Sequence, residues 1–256
     1  MSLLSIQGIS KKYGDFLAVR DVTFDVRPGE LMAIIGPNGA GKSTCFNMIS
    51  GQHRPSSGRI LLEGRDITDL KPRHIWRLGV GRTFQVAATY ATMTVVENVE
   101  MALLSRDNKL LHMWRPASSF VREEALELLR QIQMQDQAHR PCSSLAYGDV
   151  KRIELAIALA NKPRLLLMDE PAAGMGPKER NELMALTKQL VVERGMAVLF
   201  TEHSMDVVFA YADRTVVLAR GQLIAAGTPQ EIRAIPKVQE VYFGTGKTFE
   251  NQKDTA

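Results

Sequence analysis

A glycine-rich run near the start of the chain combines residue types that can hold a phosphorylated ligand. Its nine residues are Gly36, Pro37, Asn38, Gly39, Ala40, Gly41, Lys42, Ser43 and Thr44. Glycines let a backbone wrap closely around phosphate oxygens with N–H groups pointing inward. Lys42 supplies a mobile positive charge for the outer phosphates, and the Ser43 hydroxyl can ligate Mg²⁺. The spacing of Gly36, Gly41 and Lys42 fits the phosphate-binding loop template and predicts a nucleoside triphosphate site.

Two consecutive carboxylates form a second candidate group. Asp169 and Glu170 follow directly after the apolar run 165–168. A nucleotide site on a parallel sheet places its chemistry at the carboxyl ends of strands. Asp169 is expected to hold Mg²⁺, directly or through water, and Glu170 to polarise the attacking water. A charged loop after a buried strand is the common alternative, and the phosphate-binding loop makes it the weaker explanation.

Three further side chains gain meaning from their positions. Gln85 follows the predicted strand 80–84, and its amide can reach the metal or the attacking water. His203 follows another strand end and can contact the γ-phosphate or orient Glu170 and the water. Tyr13, upstream of the loop, can stack on an adenine ring. Taken singly, each is more often an ordinary polar or core residue.

The elements that position these residues alternate between apolar strands and helices. Strands are predicted at 31–35, 58–63, 80–84, 164–169 and 196–200, and helices at 43–50, 94–104, 119–135, 149–160 and 177–193. This alternation implies an α/β fold with a parallel sheet. Residues 3–35 are β-rich, and the helical stretch from about 87 to 148 is expected to be a lobe inserted between sheet strands. The polar tail 244–256 is expected to fray.

Residues 145–149 (Leu-Ala-Tyr-Gly-Asp) are predicted to begin a helix. Ser143 and Ser144 precede them and suit a helix cap. A simple helix start is one interpretation, and a second anion-binding helix terminus is the other. The choice depends on what the rest of the chain resembles.

Composition narrows the class of protein. The 256 residues are 45% apolar and 23% charged, as in ordinary globular proteins. A net charge of +4 with scattered basic residues argues against nucleic acid as a partner. The chain has two cysteines, too few for a disulfide framework, and lacks a run of about 18 apolar residues. We expect neither a membrane span nor a secretion signal.

The motifs together resemble the nucleotide-binding subunit of an ABC transporter over residues 3–243. They are, in order, the aromatic Tyr13, Walker A (36–44), the Q-loop glutamine Gln85, a signature segment (145–149), Walker B (165–169), Glu170 and the switch histidine His203. Within that family the chain resembles the LivG-type ATPase of branched-chain amino acid importers. The segments that carry this likeness are 81–85 with 93–98, 145–148, 169–174, 201–206, 227–231 and 238–242.

The resemblance implies a P-loop NTPase fold with an N-terminal antiparallel β subdomain and an inserted helical subdomain. One domain is expected over 1–243, followed by the tail 244–256. The implied cofactors are ATP and Mg²⁺, with Ser43, Gln85 and Asp169 as metal ligands. The implied partners are two membrane permease subunits, a second ABC ATPase in an ATP sandwich and, indirectly, a periplasmic or extracellular solute-binding protein. The implied location is cytoplasmic, on the inner face of the membrane.

The signature segment departs from the general family pattern Leu-Ser-Gly-Gly-Gln. Ala146 stands at the serine position, Tyr147 at the first inner glycine and Asp149 at the glutamine. Gly148 and backbone amides are left to meet a partner's nucleotide. Gly176 also replaces the aspartate that usually follows Walker B. These departures predict a heterodimer with two non-equivalent nucleotide sites.

Other functions remain open at this point. The same transporter role can serve urea, short amides or other amino acids, because cargo is chosen by subunits outside this sequence. A soluble ABC-type ATPase in translation or DNA repair is a rival from another class, but the chain carries a single set of motifs, with about half a chain between Walker A and Walker B. A module that binds ATP without cleaving it is a third, and Glu170 and His203 argue against it.

Overall fold

The structure, a computed structural model, describes residues 2–83, 89–107 and 119–243. The strands are β1 (Leu4–Tyr13), β2 (Phe16–Val26), β3 (Leu31–Ile35), β4 (Ser57–Leu62), β5 (Arg65–Asp66), β6 (Val80–Thr83), β7 (Leu165–Asp169), β8 (Ala197–Thr201), β9 (Arg214–Ala219) and β10 (Gln222–Gly227). The helices are α1 (Lys42–Ile49), α2 (Pro72–Arg77), α3 (Val95–Arg106), α4 (Ser119–Gln131), α5 (Tyr147–Leu159), α6 (Pro177–Arg194), α7 (Met205–Tyr211), α8 (Pro229–Ala234) and α9 (Pro236–Phe243).

A six-stranded sheet in the order β10-β9-β3-β8-β7-β6 forms the centre of the fold. Its pairings are parallel except for the antiparallel edge strand β10. Every residue of β3, β7 and β8 is buried, as expected of parallel strands covered on both faces. The predicted α/β class with a parallel sheet is therefore confirmed.

A second sheet, in the order β2-β1-β4-β5, is wholly antiparallel. β1 and β2 form a long hairpin in which Tyr13 pairs with Phe16 across the turn. The predicted N-terminal antiparallel β subdomain is confirmed. Its hairpin brings two aromatic residues to one end of the sheet.

Two apolar clusters lie on opposite faces of the central sheet. Leu31, Ala33 and Ile35 of β3 belong to the cluster that includes residues of α3 to α6. Met32 and Ile34 belong to the cluster that includes the antiparallel sheet and α1. Because successive strand side chains point to opposite faces, one short strand anchors both halves of the core.

Helices α3, α4 and α5 lie between β6 and β7 in the chain. The predicted end of the second of them, at residue 135, is wrong, since α4 ends at Gln131. Gln133 adopts a left-handed conformation with φ 59°. The Met134 N–H then bonds the carbonyl of Leu129 at 2.8 Å, the hydrogen bond of a Schellman helix end.

The predicted serine cap is also wrong. Helix α5 begins at Tyr147, and its N-cap residue is Ala146, which has no side-chain hydrogen bond. Ser143 and Ser144 instead form part of a 3₁₀ turn, and the Ser144 hydroxyl donates to the Pro141 carbonyl at 2.8 Å. None of the described helices is long and apolar enough to cross a membrane.

Candidate nucleotide-binding site

The glycine-rich run connects β3 to α1 and packs tightly against neighbouring backbone. A Cβ on Gly36 would lie 2.2 Å from the carbonyl oxygen of Leu218. Gly41, at the N-cap of α1, has φ 101°, and a Cβ there would lie 2.9 Å from the Ala18 carbonyl oxygen. Side chains at these two positions would displace the loop, so the glycines are needed for its path.

Lys42 lies over this loop. Its ammonium donates to the carbonyl of Gly36 at 2.7 Å and to that of Pro37 at 3.2 Å. Burial lowers the pKa of Lys42, although the charges of Glu170 and Asp169 act in the opposite direction. A poorly hydrated ammonium on a glycine-rich loop favours a phosphate anion at this place.

Asp169 is the last residue of β7 and is held on both carboxylate oxygens. Its Oδ1 accepts a hydrogen bond from the Thr201 hydroxyl at 2.8 Å. Its Oδ2 lies 3.4 Å from Nη2 of Arg82. The other terminal nitrogen of that guanidinium, Nη1, donates to Asn47 Oδ1 and Ser50 Oγ at 2.9 Å each. The carboxylate is thus fixed at the carboxyl end of the sheet, where the sequence placed it.

Glu170 and His203 meet at the ends of adjacent strands. Glu170 Oε1 lies 2.8 Å from His203 Nε2. The Glu170 side chain is 23% exposed and that of His203 is 44% exposed, so the pair borders solvent. Glu170 has φ 50°, a left-handed conformation that costs about 1 kcal/mol for a residue with a side chain. Its backbone N–H donates to the Thr201 hydroxyl at 2.9 Å.

A cavity of about 270 Å³ unites most of these groups. Its walls are residues 38–44 of the phosphate-binding loop, Glu170, His203 and two residues of β2, Phe16 and Ala18. The structure therefore brings the loop together with the Glu170–His203 pair. Asp169 is not part of this described wall, although it is next to Glu170 in the chain.

Phe16 is a wall residue that the sequence analysis missed. Its ring is 67% exposed although it belongs to the cavity wall. Tyr13, the predicted stacking residue, is 43% exposed and is not part of the described wall. Its ring lies edge-on to His53 at 5.9 Å, and Lys11 Nζ lies 5.2 Å from its centre. The sequence feature that could have indicated Phe16 is the pair of aromatic residues, Tyr13 and Phe16, on either side of a two-residue turn.

Gly148 lies at the start of α5 and is not part of the described cavity wall. A Cβ at Gly148 would lie 3.3 Å from Glu179 and 3.4 Å from Met175, so α5 packs closely on the start of α6. Tyr147 next to it is 48% exposed. Gly148 is therefore not brought to the nucleotide cavity of its own chain.

Two of the three predicted metal ligands, Ser43 and Asp169, lie within the described residues. Gln85 lies outside the described residues. Within the described ranges there is no group of three or more His, Cys, Asp or Glu side chains suited to a metal ion. Ser43 and Asp169 nevertheless suit Mg²⁺, because Mg²⁺ at nucleotide sites takes few protein oxygens beside phosphates and water.

The fold and the site together define a P-loop nucleotide-binding domain, with a phosphate-binding loop beside two strand-end carboxylates. A family profile described as "ABC transporter" matches residues 19–173. A second profile, "Branched-chain amino acid ATP-binding cassette transporter", matches residues 222–248. The chain belongs to the ABC transporter family of ATP-binding proteins, which are ATPases.

Individual relatives agree with this assignment. The chain is 38% identical over 249 residues to the "High-affinity branched-chain amino acid transport ATP-binding protein LivG" of Escherichia coli K12, covering 94% of this chain and 98% of that protein. The BraF protein of Pseudomonas aeruginosa, with the corresponding description, matches equally, at 38% identity with the same coverage. The solved ADP conformation of MJ1267, "an ATP-binding cassette of an ABC transporter", has a TM-score of 0.86 at 32% identity, covering 95% of this chain and 99% of that one.

Proposed function

We propose that this chain is the ATP-hydrolysing subunit of an importer for branched-chain amino acids. The observation that carries the proposal is the cavity that joins the phosphate-binding loop to the Glu170–His203 pair. The cargo is inferred from the near full-length likeness to LivG and BraF, together with the match at residues 222–248.

The phosphate-binding loop is proposed to hold the triphosphate of ATP. Backbone N–H groups of the loop would donate to the phosphate oxygens, and the Lys42 ammonium would neutralise the outer phosphates. The Ser43 hydroxyl and the Asp169 carboxylate would hold Mg²⁺, which supplies charge neutralisation at the phosphates when it is bound. Gln85 is proposed to complete this set.

Glu170 is proposed as the general base of hydrolysis. Its carboxylate borders the cavity next to the loop, in reach of a water aimed at the outer phosphate. His203 contacts this carboxylate and would hold it, or the water, in position. The left-handed backbone of Glu170 is a strained feature of the kind that collects at functional sites.

The aromatic hairpin is proposed to contact the adenine base. Phe16 borders the cavity and presents an exposed ring to it. Tyr13 faces Phe16 across the hairpin in register and would enclose the base from its other side. The sequence predicted adenine stacking by Tyr13 alone, and this proposal adds Phe16 as a second ring.

Assembly with other chains is proposed to complete the site. Gly148, which does not border this chain's own cavity, would meet the nucleotide of a second ABC ATPase in a sandwich. Ala146, Asp149 and Gly176 then make the two composite sites unequal, which favours a heterodimer. The helical lobe at about 87–148 and Gln85 would relay closure to two permease subunits on the inner face of the membrane.

Capture from native membranes tests the proposed partners. Tagged Glu170→Gln chain is incubated with MgATP and gently solubilised membranes of the native organism, with untagged chain as the control. Recovery of two permease subunits and a second ATPase with an intact signature is expected. Recovery of ribosomal or DNA-repair proteins without permeases would contradict the transport role.

Uptake measurements test the proposed cargo. Cells in which this chain is replaced by Glu170→Gln are expected to lose high-affinity uptake of radiolabelled leucine. The matched variant Glu63→Gln, at an exposed carboxylate outside the cavity wall, is expected to keep it. Loss of urea, short-amide or other amino acid uptake with unchanged leucine uptake would assign the transporter to that cargo.

A further inference from the structure

The Thr201 hydroxyl lies between the two carboxylate residues of the site. Thr201 is the last residue of β8, pairs with Asp169 in the parallel register and is fully buried. Its hydroxyl donates to Asp169 Oδ1 at 2.8 Å and accepts the backbone N–H of Glu170 at 2.9 Å. A hydroxyl has one proton, and these two bonds fix its direction.

Each of the two bonds acts on a different feature of the site. The bond to Oδ1 fixes the rotation of the Asp169 carboxylate. The bond from the N–H secures the backbone of Glu170, whose φ of 50° is otherwise unfavourable for a residue with a side chain. The same backbone conformation carries the Glu170 carboxylate to within 2.8 Å of His203.

Arg82 and Glu202, the polar residues near Thr201, make other contacts than its two hydrogen bonds. Arg82 approaches the opposite oxygen of Asp169, Oδ2, at 3.4 Å. Glu202 accepts the backbone N–H groups of His203 and Ser204, at 2.7 Å and 3.2 Å. Thr201 joins the proposed metal-holding carboxylate to the proposed base through a single atom.

We propose that Thr201 is a positioning residue for ATP hydrolysis. Its hydroxyl holds the Asp169 carboxylate in the orientation that serves the metal and stabilises the Glu170 backbone in the conformation that serves the attacking water. The inference rests on the roles proposed above for Asp169 and Glu170. Nothing in the sequence pattern around residue 201 pointed to it.

The test compares the full-length variants Thr201→Val and Thr201→Ser. Valine keeps the shape of threonine but leaves a buried carboxylate oxygen and a backbone N–H without these bonds. Loss of a group that orients a metal ligand typically lowers activity about 10- to 100-fold. We expect Thr201→Val to lower kcat by that factor and to raise the Mg²⁺ concentration for half-maximal activity, with the KM for ATP within about threefold. Thr201→Ser, which retains the hydroxyl, is expected to restore kcat to within about threefold of the original.

Thr215→Val is the matched control. Thr215 lies on β9, is fully buried, and among the described residues its hydroxyl has no hydrogen-bond partner. Thr215→Val replaces a threonine hydroxyl by a methyl group in the same sheet, as Thr201→Val does, and it is expected to leave kcat unchanged. This control separates loss of a positioning bond from general disturbance of the sheet.

Glu170→Gln, measured in parallel, separates the inference from the function on which it rests. Normal kcat in Thr201→Val with lost hydrolysis in Glu170→Gln would overturn the role of Thr201 and leave the proposed function intact. Normal hydrolysis by Glu170→Gln would show that Glu170 is not the general base and would overturn the function on which the inference rests. If Thr201→Val unfolds, Thr201→Ala takes its place: lowered kcat in folded Thr201→Ala with kcat retained in Thr201→Ser supports the inference, and normal kcat in Thr201→Ala overturns it.

Discussion

At the scale of single residues, Phe16 illustrates how an exposed ring can belong to a binding site. It is 67% exposed, yet it borders the cavity that contains the phosphate-binding loop. Single exposed apolar side chains are common and need no explanation on their own. Phe16 is assigned a role because it lines the same cavity as Lys42 and Ser43.

Replacing Phe16 by alanine tests that role. We expect Phe16→Ala to weaken ADP binding about fivefold, since an aromatic stacking contact contributes on the order of 1 kcal/mol. Isothermal titration of the full-length chain measures the affinity. Val192→Ala, at an apolar residue of α6 that is 72% exposed and outside the cavity wall, is the control and is expected to bind ADP normally. Unchanged affinity in Phe16→Ala with weakened affinity in Tyr13→Ala would assign the base contact to Tyr13 alone.

Motif spacing predicted the site residues better than it predicted their contacts. The phosphate-binding loop and Glu170–His203 were found because each is tied to the end of an apolar strand. Thr201 and Phe16 were missed because their meaning depends on register, of β8 against β7 and of β2 against β1. Register is set by pairing between distant segments, which one-dimensional patterns do not report.

At the scale of elements, the helices between β6 and β7 are joined by an ion pair. Arg106 of α3 makes two hydrogen bonds to Glu124 of α4, at 2.7 Å and 2.9 Å, and a third to the carbonyl of Ala160 at the end of α5. The side chains of Arg106 and Glu124 are 18% and 19% exposed. Hydrogen bonds to Arg106 lower the pKa of Glu124. The pair therefore links three helices at one point.

Neutralising Glu124 is expected to destabilise this helical region. Glu124→Gln should lower the free energy of unfolding by about 1 to 2 kcal/mol, because bidentate charged hydrogen bonds in a half-buried site are replaced by weaker ones. Since the folded pKa is the lower one, this contribution is present at neutral pH and is lost as pH falls through that pKa. The difference from the original protein should therefore shrink in acid. Urea unfolding at several pH values measures it.

Glu127→Gln on the same helix is the matched control. Glu127 pairs with Arg130 at 3.0 Å, but the two side chains are 50% and 59% exposed. An exposed pair of this kind contributes less than about 1 kcal/mol. Equal losses in the two variants, or no loss in Glu124→Gln, would show that the pair between α3 and α4 does not hold the helices.

The apolar strands β3, β6, β7 and β8 and the helices of eight residues or more from α1 to α6 were predicted within a few residues of their bounds, and the shorter helices were not. The end of α4 was misplaced because Gln133 adopts a left-handed conformation usually reserved for glycine. Helices α2, α7 and α8 have six or seven residues, too few for a periodic pattern. The capping box of α8, Thr228 with Glu231, was the signal available for one of them.

At the scale of the whole molecule, the nucleotide cavity and the signature segment lie apart. The loop, Glu170 and His203 share one cavity, whereas the signature residue Gly148 packs against α6 outside the described wall. In the proposed sandwich, Gly148 would contact the nucleotide of the second ATPase. Asp149, next to Gly148, would then bring a negative charge towards that nucleotide's phosphates.

Replacing Asp149 tests whether this charge limits pairing of identical chains. In the hydrolysis-deficient background Glu170→Gln, we expect Asp149→Gln to strengthen MgATP-dependent dimerisation at least about tenfold, because a like charge at an interface costs on the order of 1 kcal/mol or more. Analytical ultracentrifugation measures the dimer. Glu193→Gln, an exposed carboxylate near the other end of α6, is the control and should change nothing. Unchanged dimerisation in Asp149→Gln would remove Asp149 as the cause of non-equivalent sites.

The central claim is that Glu170 activates the water that attacks ATP bound at the phosphate-binding loop. Its most direct test is steady-state hydrolysis by Glu170→Gln, with MgATP binding measured on the same sample. We predict a rate lowered about 10²- to 10⁴-fold, as for loss of a general base, with binding retained. A normal hydrolysis rate with normal binding would contradict the claim.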